Sequence, residues 1–540
     1  MIQISGLELG QYQSVTDVFL EACEKYAQKP AYSCMGQTLS FADMERLTAN
    51  FASYLQNHTD LEVGDRIAIQ LPNVLQFPIA VFGAMRAGMV VVNTNPLYTV
   101  REMEHQFNDS GAKALLILAN MASLAEHVVP KTGIQHVIVT ELADMHPFAK
   151  RLLINTVVKR VKKMVPPFSL PQALSFRETL ALGAKKAPVA VPLTLDDTAV
   201  LQYTGGTTGV SKGAQLLHKN LVANMMQVRE LIVHILDGDR EIVIAPLPLY
   251  HIYAFTVSLV MSDMGHEMVL IPNPRDIPGF VKELSKHNFT SFAGLNTLFV
   301  ALCNNKEFNE LDFSHLKHTI SGGMALTEAA ATTWHKVTGC QIQEAYGLTE
   351  TSPAVSFNPY HDIRIGTIGK VVTGTQVKVI AEDGSDLGFN QEGELCVKGP
   401  QVMAGYWQRP EATAEVIDAD GWFKTGDVAI LAEDGFIRLV DRIKDMINVS
   451  GFNVYPNEID DIASQHPGIL ECAAVGVPND VSGETVKLFV VKLDPNLTEA
   501  DVIAHCREHL TAYKVPKEVE FKDDLPKTNV GKILRRALRD

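Results

Sequence analysis

Residues 203–213, YTGGTTGVSKG, concentrate the chemistry that can be read from this chain. Gly205, Gly206 and Gly209 let the backbone turn tightly and aim its N–H groups inward. Thr204, Thr207, Thr208 and Ser211 add hydroxyl donors, and Lys212 adds a positive charge. Together these groups can wrap an anionic polyphosphate. The run is not a Walker A loop, which needs Gly, Lys and Ser or Thr side by side. Here Val210 and Ser211 separate Gly209 from Lys212. The bland alternative is a plain Gly/Thr turn, which does not call for so many donors around one cation.

The loop resembles the phosphate-binding signature of the adenylate-forming superfamily: acyl-CoA synthetases, luciferases and peptide-synthetase adenylation domains. That family has Ser or Thr before the second glycine and Pro before the lysine; this chain has Gly205 and Ser211 there. The first difference takes away one hydroxyl and keeps the backbone cradle. Further runs fall in the family's order. Residues 346–350, YGLTE, resemble its nucleotide motif. The resemblance implies that Tyr346 packs against adenine beside Gly347 and that Thr349 contacts the α-phosphate. It also implies that Glu350 and Thr204 hold Mg²⁺ and that Glu344 joins the nucleotide site. A carboxylate beside a triphosphate needs a cation between them, and Mg²⁺ held by few protein oxygens suits that place. Gly322 and Gly323, in SGGM (321–324), would let the backbone approach the purine. Asp427, in TGD (425–427), would accept both ribose hydroxyls, a task suited to an acceptor-only carboxylate, with Arg442 supporting it. Lys444, in DRIKDMINVSG (441–451), occupies the hinge position. Lys532, in PKTNVGK (526–532), would enter the site for adenylation and act with Lys212, Thr349 and Glu350. His251, in PLPLYH (246–251), would lie by the acyl pocket. Taken singly, each run also has a structural reading: a turn, a helix-terminal carboxylate, a surface ion pair, a core histidine, or one more base in a tail with Arg535, Arg536 and Arg539.

The resemblance runs from about residue 14 to residue 536. It is closest to bacterial long-chain fatty-acid–CoA ligases, through NPRDIP (273–278), GPQVMAGYW (399–407) and VSGFNVYPNE (449–458). It implies two steps with ATP and CoA as co-substrates. A fatty carboxylate displaces pyrophosphate from ATP to give an acyl-adenylate; the CoA thiolate then takes the acyl group and AMP leaves, feeding β-oxidation. Two rivals stand beside it. One is a fatty acyl-AMP ligase or a ligase for other carboxylic acids; the other is a lipid-uptake protein with an inactive site.

Elements must position these runs. Apolar strand-like segments (66–71, 114–117, 136–140) alternate with helical ones (74–87, 101–108), and the pattern returns at 240–245, 267–271 and 318–320. Such alternation predicts doubly wound parallel sheets. After about residue 367, Gly-rich turns separate short alternating strands (376–380, 393–398, 436–440), the texture of a small β-barrel section. After 441–444 a smaller unit begins, with helices at 457–465 and 499–510 and strands at 471–477 and 486–493. The expected class is therefore α/β plus α+β. A large N-terminal domain (1–441), which binds ATP and fatty acid, joins through a hinge (442–444) to a mobile C-terminal α+β domain (445–540) carrying Lys532.

Bulk properties narrow the classes. The chain has 540 residues, more than one core supports. A net charge of −15 disfavours nucleic acid. The seven cysteines (Cys23, Cys34, Cys303, Cys340, Cys396, Cys472 and Cys506) are scattered, as expected of reduced thiols in the cytoplasm. The N-terminal residues lack the pattern of a secretion signal, and the apolar run 81–92 is broken by Arg86, so no span is expected. Oligomeric state is open, a homodimer included. Residues 146–166 carry no acidic residue. At ~100° per residue, Leu153, Ile154, Val157, Val158, Val161, Met164 and Val165 fall in one ~140° arc. Arg151, Lys159, Arg160, Lys162 and Lys163 fall on the other side. This predicts a basic amphipathic helix, either laid on the inner leaflet of the membrane or packed on the core with its charges in water.

Overall fold

A computed structural model describes residues 2–3, 7, 9–204, 211–479, 482–528 and 531–539. Two large, mainly parallel sheets carry the N-terminal part. The first runs in the order Gly405–Tyr406, Lys212–Leu217, Thr198–Thr204, Val90–Asn93, Arg66–Gln70, Ala112–Leu118, His136–Thr140, Leu174–Ser175. Its first three strands pair antiparallel, and from Thr198–Thr204 onward the pairing is parallel. The second has Ile342–Gly347, His318–Ser321, Ser291–Gly294, Ile242–Ala245, Glu267–Leu270 and Pro30–Cys34 in parallel, flanked by antiparallel edges. Their strands read as continuous apolar runs because helices cover both faces. Helix Gln76–Arg86 is buried along its length as far as Met85. The break expected at Arg86 is this helix's end, where the guanidinium bonds to Glu45 O and Thr48 Oγ1, both at 2.8 Å. No described helix is long and apolar enough to cross a membrane.

The antiparallel section is a five-stranded sheet in the order Ile2–Gln3, Gln376–Ile380, Glu392–Lys398, Phe423–Leu431, Ile437–Arg442. Its last ladder sets Asp427 opposite Arg442. A 3-10 turn, Ile443–Asp445, follows at once, and Ile447–Val449 already belongs to the last sheet. That sheet, with helices Pro456–Ser464 and Glu499–His509, has a core of its own around Ile447, Ile459, Leu488 and Cys506.

The regular amphipathic helix expected over 146–166 is not formed. The chain makes an α-helix, Phe148–Thr156, then a π-helical turn, Val157–Val161, and ends with Lys163 at φ 51°. A π turn takes more residues per revolution than an α turn, so the arc calculated at a constant angle is dispersed. Val158 is buried, whereas Leu153, Val161 and Met164 stand in solvent.

Candidate active site

The two strands that flank the 205–210 run are held in register, Thr204 opposite Lys212. Gly205, Gly206, Thr207, Thr208, Gly209 and Val210 lie outside the described residues. At the loop's base Ser211 Oγ donates to Thr204 O at 2.7 Å. Ser211 O meets His105 Nε2 at 2.9 Å. His105 is fixed by helix Val100–Ser110, which starts in a Thr99–Glu102 capping box and ends at Gly111, φ 63°. Tyr203 Oη donates to Asp109 on the same helix at 2.7 Å.

Strand Ile342–Gly347 delivers the nucleotide motif. A Cβ on Gly347 would collide with the Pro353 carbonyl, so only glycine allows the next residues to turn back. The 3-10 turn Thr349–Thr351 then presents Glu350. Its carboxylate accepts the Tyr406 hydroxyl at 2.8 Å, and Lys212 Nζ lies 5.2 Å from the centre of the Tyr406 ring. Tyr406 thus stands between the two charges. It was not chosen from the sequence, although its GYW run was noted there. Among the described residues no group of three or more His, Cys, Asp or Glu side chains could hold a metal. A lone carboxylate such as Glu350 fits an ion that takes few protein oxygens and arrives on phosphates, which is how Mg²⁺ behaves.

Across the cleft, Asp427 is 2% exposed and receives the Tyr346 hydroxyl at 2.6 Å and Arg442 Nε at 3.2 Å. Burial raises the Asp427 carboxyl, and Arg442 opposes the rise. Burial also raises the Tyr346 phenol well above its usual range, with Asp427 adding to it. Strand His318–Ser321 ends at Gly322 and Gly323, the latter at φ 86°. Glu344, on the neighbouring strand, accepts Leu326 N at 3.2 Å, and burial pushes its carboxyl up to about 8. His251 caps helix Ile252–Met264 and receives Tyr253 N at 3.3 Å. Burial, then the charge of Lys532, brings its imidazole down to about 3, so it is neutral at ordinary pH.

Lys532 arrives from the last segment of the chain and lies against Gly323. Thr528 N donates to Lys532 O at 2.7 Å, and Thr297 Oγ1, on helix Asn296–Cys303, donates to Gly531 O at 3.1 Å. Burial, then the like charge of Arg442, lowers the Lys532 ammonium to about 8, while Asp427 and Glu350 pull the other way. Lys444, on the 3-10 turn Ile443–Asp445, is lowered by burial and by Arg442 and also feels Asp427 and Glu350. Behind Lys532, Arg535 donates to Asp460 Oδ2 at 2.8 Å and Asn457 Oδ1 at 2.6 Å, and Asn457 N donates to Asp441 at 2.8 Å. Sequence reading passed over Asp441, Asn457, Asp460 and Arg535 as site-building groups. Glu328 N bonds to Asp461 at 3.2 Å, and Tyr455 Oη bonds to Glu392.

One cleft of about 3180 Å³ contains all of this. Every described residue selected from the sequence lines it: Thr204, Ser211, Lys212, His251, Gly322, Gly323, Glu344, Tyr346, Gly347, Thr349, Glu350, Asp427, Arg442, Lys444 and Lys532. Val228, Val257, Phe299 and Val300 add apolar wall to the same cleft. The arrangement combines cations for an anionic ligand, a buried acceptor for hydroxyls and an apolar surface.

Comparisons with known proteins agree along the whole chain. The family described as "AMP-binding enzyme" matches residues 19–407, and "AMP-binding enzyme C-terminal domain" matches 458–532. A protein named long-chain-fatty-acid–CoA ligase from Escherichia coli O157:H7 is 54% identical over 532 residues, covering 98% of this chain and 95% of that one. One of the same name from Bacillus subtilis (strain 168) is 36% identical over 533 residues, covering 97% and 94%. Among solved structures, ATP-bound MatB from Rhodopseudomonas palustris superposes with a TM-score of 0.78 at 28% identity, covering 97% of this chain and 98% of that one. The anthranilate CoA ligase AuaEII, in complex with anthranoyl-AMP, shares the fold at a TM-score of 0.88 and 23% identity, covering 99% and 98%.

Proposed function

The chain belongs to the AMP-binding enzyme family, and on that premise we propose that it is a long-chain fatty-acid–CoA ligase. The observation that carries the mechanism is Lys532, from the last segment of the chain, lying in one cleft with Lys212, Glu350 and Asp427. In the first step a fatty carboxylate oxygen bonds to the α-phosphorus of ATP, and the bond to the β-phosphate oxygen breaks to release pyrophosphate. Lys212, Thr349 and Lys532 offset the charge that develops on the phosphoryl oxygens. Gly205, Gly206, Thr207, Thr208 and Gly209, on the reading of the sequence, would bind the phosphates. Glu350 and Thr204 would hold Mg²⁺, which would neutralise phosphate charge. Asp427 and Arg442 take the ribose, Tyr346, Gly322, Gly323 and Glu344 border the base, and His251 borders the acyl chain. Val228, Val257, Phe299 and Val300 suit an apolar chain, each buried methylene contributing about 0.8 kcal/mol.

In the second step the CoA thiolate attacks the acyl carbon and AMP leaves with the bonding pair. The unit 445–540 rotates about 442–444 between the steps, carrying Lys532 out of the cleft. Product acyl-CoA enters β-oxidation. Two finer parts of the proposal concern partners. The enzyme works in the cytoplasm with peripheral contact to the inner leaflet, and its oligomeric state is open between monomer and homodimer. Sedimentation velocity with and without vesicles tests both.

The enzymatic test is pyrophosphate and AMP release across a series of carboxylic acids, with and without CoA. The proposal expects pyrophosphate release to be greatest with long-chain fatty acids and AMP release to require CoA. Pyrophosphate release with acyl-adenylate as the final product, and no AMP release even with CoA, would favour an acyl-AMP ligase. Absence of fatty-acid-dependent pyrophosphate release would favour a binding protein.

A further inference from the structure

Residues 148–164 display apolar side chains to water. Val161 is 71% exposed, Phe148 70% and Leu153 65%, with Leu152 and Met164 above half. A surface helix of a soluble protein normally turns its apolar stripe to the core. Here helix Phe148–Thr156 buries no residue, and the π-helical turn that follows buries only Val158. Lys159, Arg160, Lys162 and Lys163 stand exposed among these side chains, and none of the four side chains is shown in an ion pair or hydrogen bond among the described residues. The segment is anchored from behind. Asn155 bonds to Ala143 N at 2.9 Å and to Glu141 at 2.9 Å, and Lys150 Nζ donates to Met35 O at 2.5 Å.

We infer that residues 148–164 are the face with which this chain docks on an anionic lipid bilayer. The inference rests on the peripheral contact proposed above and names the surface that makes it. Contiguous exposed apolar groups mark an interaction site. Protein–protein interface cores are depleted in lysine, so the three lysines within the patch argue against a protein partner. A second copy meeting the same face would set these cations against their own images. A bilayer with anionic headgroups meets both needs, headgroups for the cations and the acyl boundary for Phe148, Leu152, Leu153, Val161 and Met164. The chain's net charge of −15 repels such a surface elsewhere and so orients this face toward it.

The test is co-sedimentation of the full chain with phosphatidylcholine vesicles, with and without phosphatidylglycerol, at low and high salt. The expected result is binding to the mixed vesicles that weakens with salt. The quadruple variant Lys159→Glu, Arg160→Glu, Lys162→Glu, Lys163→Glu should lose at least about tenfold in binding. The double variant Leu152→Ser, Leu153→Ser should lose binding even at low salt. Both variants should keep wild-type turnover of a short, freely soluble fatty acid, which shows that they fold. Unchanged vesicle binding in either variant overturns the inference. So does a concentration-dependent dimer in buffer that these variants abolish, because a second copy would then be the occupant. Since vesicle binding is read without catalysis, a wrong assignment of the reaction would leave the binding result standing.

Discussion

The Lys532 side chain lies over the bare α-carbon of Gly323: a methyl group there would stand 3.3 Å from Lys532 Cε and 3.8 Å from Nζ. A residue from the last segment of the chain is thereby seated against a strand-end turn of the second large sheet. Gly323 also sits at φ 86°, a conformation that L side chains rarely adopt. Gly323→Ala should therefore crowd the lysine and strain the turn together. The expected outcome is about a tenfold or greater fall in acyl-adenylate formation, with a smaller change in thioester formation from preformed acyl-adenylate. Rapid-quench measurement of the two half-reactions checks it.

Lys532 sets a pH limit. Its ammonium is lowered to about 8 by burial and then by Arg442. The charged form is the active one, so kcat/KM for adenylation should fall as pH rises through about 8. Bound triphosphate favours the cation, so the matching limb of kcat should lie at higher pH. Lys532→Arg keeps its charge throughout and should lose the limb even if its rate is reduced. A kcat/KM profile flat to pH 10 in the wild type would contradict this role.

Tyr406 links Glu350 to the loop lysine. Tyr406→Phe keeps the ring beside Lys212 and removes only the 2.8 Å hydrogen bond. Hydrogen bonds to charged groups contribute about 1.5–3 kcal/mol, so the Mg²⁺ concentration for half-maximal rate should rise about tenfold or more. The melting temperature should fall as well, because the same bond is made in the folded chain without ligand. ATP-binding calorimetry at several Mg²⁺ concentrations gives a second readout.

Arg535 supports the segment that carries Lys532. Burial raises the Asp460 carboxyl to about 6 despite Arg535. A folded-state value above the unfolded one means that the folded chain holds more protons between about 4 and 6, so Asp460 costs stability as pH rises through that window. Without the guanidinium the charged carboxylate loses its partner. Arg535→Ala should lower the melting temperature more at pH 8 than at pH 5, and removing one partner of a buried pair costs about 3–5 kcal/mol. Equal losses at the two pH values would argue that packing alone holds the segment.

Much of this was legible in the sequence because the site is made of short runs at strand ends. Gly322 and Gly323 follow one strand, Gly347 closes another, and Lys212 opens a third. Gly322, Gly323 and Gly347 lie side by side because their strands run parallel, and Lys212 enters the same cleft from an antiparallel pair of the first sheet. What stayed hidden depends on register between distant strands. Tyr406 meets Glu350 across 56 residues, and Tyr346 meets Asp427 across 81. Neither pair has a local signal. The resemblance gave Tyr346 to adenine and Asp427 to ribose without showing that the two are bonded to each other. The segment 146–166 failed for a different reason: a π turn leaves no mark in residue type, yet it rotates every side chain beyond it.

The central claim is that Lys532 and the 203–213 loop act on the same nucleotide in the first step only. Its most direct measurement compares Lys532→Ala with wild type in the two half-reactions separately. Acyl-adenylate formation should fall by about a hundredfold or more, while transfer from supplied acyl-adenylate to CoA stays within a few-fold of wild type. Acyl-adenylate formation near the wild-type rate, or an equal loss in both half-reactions, would contradict the account.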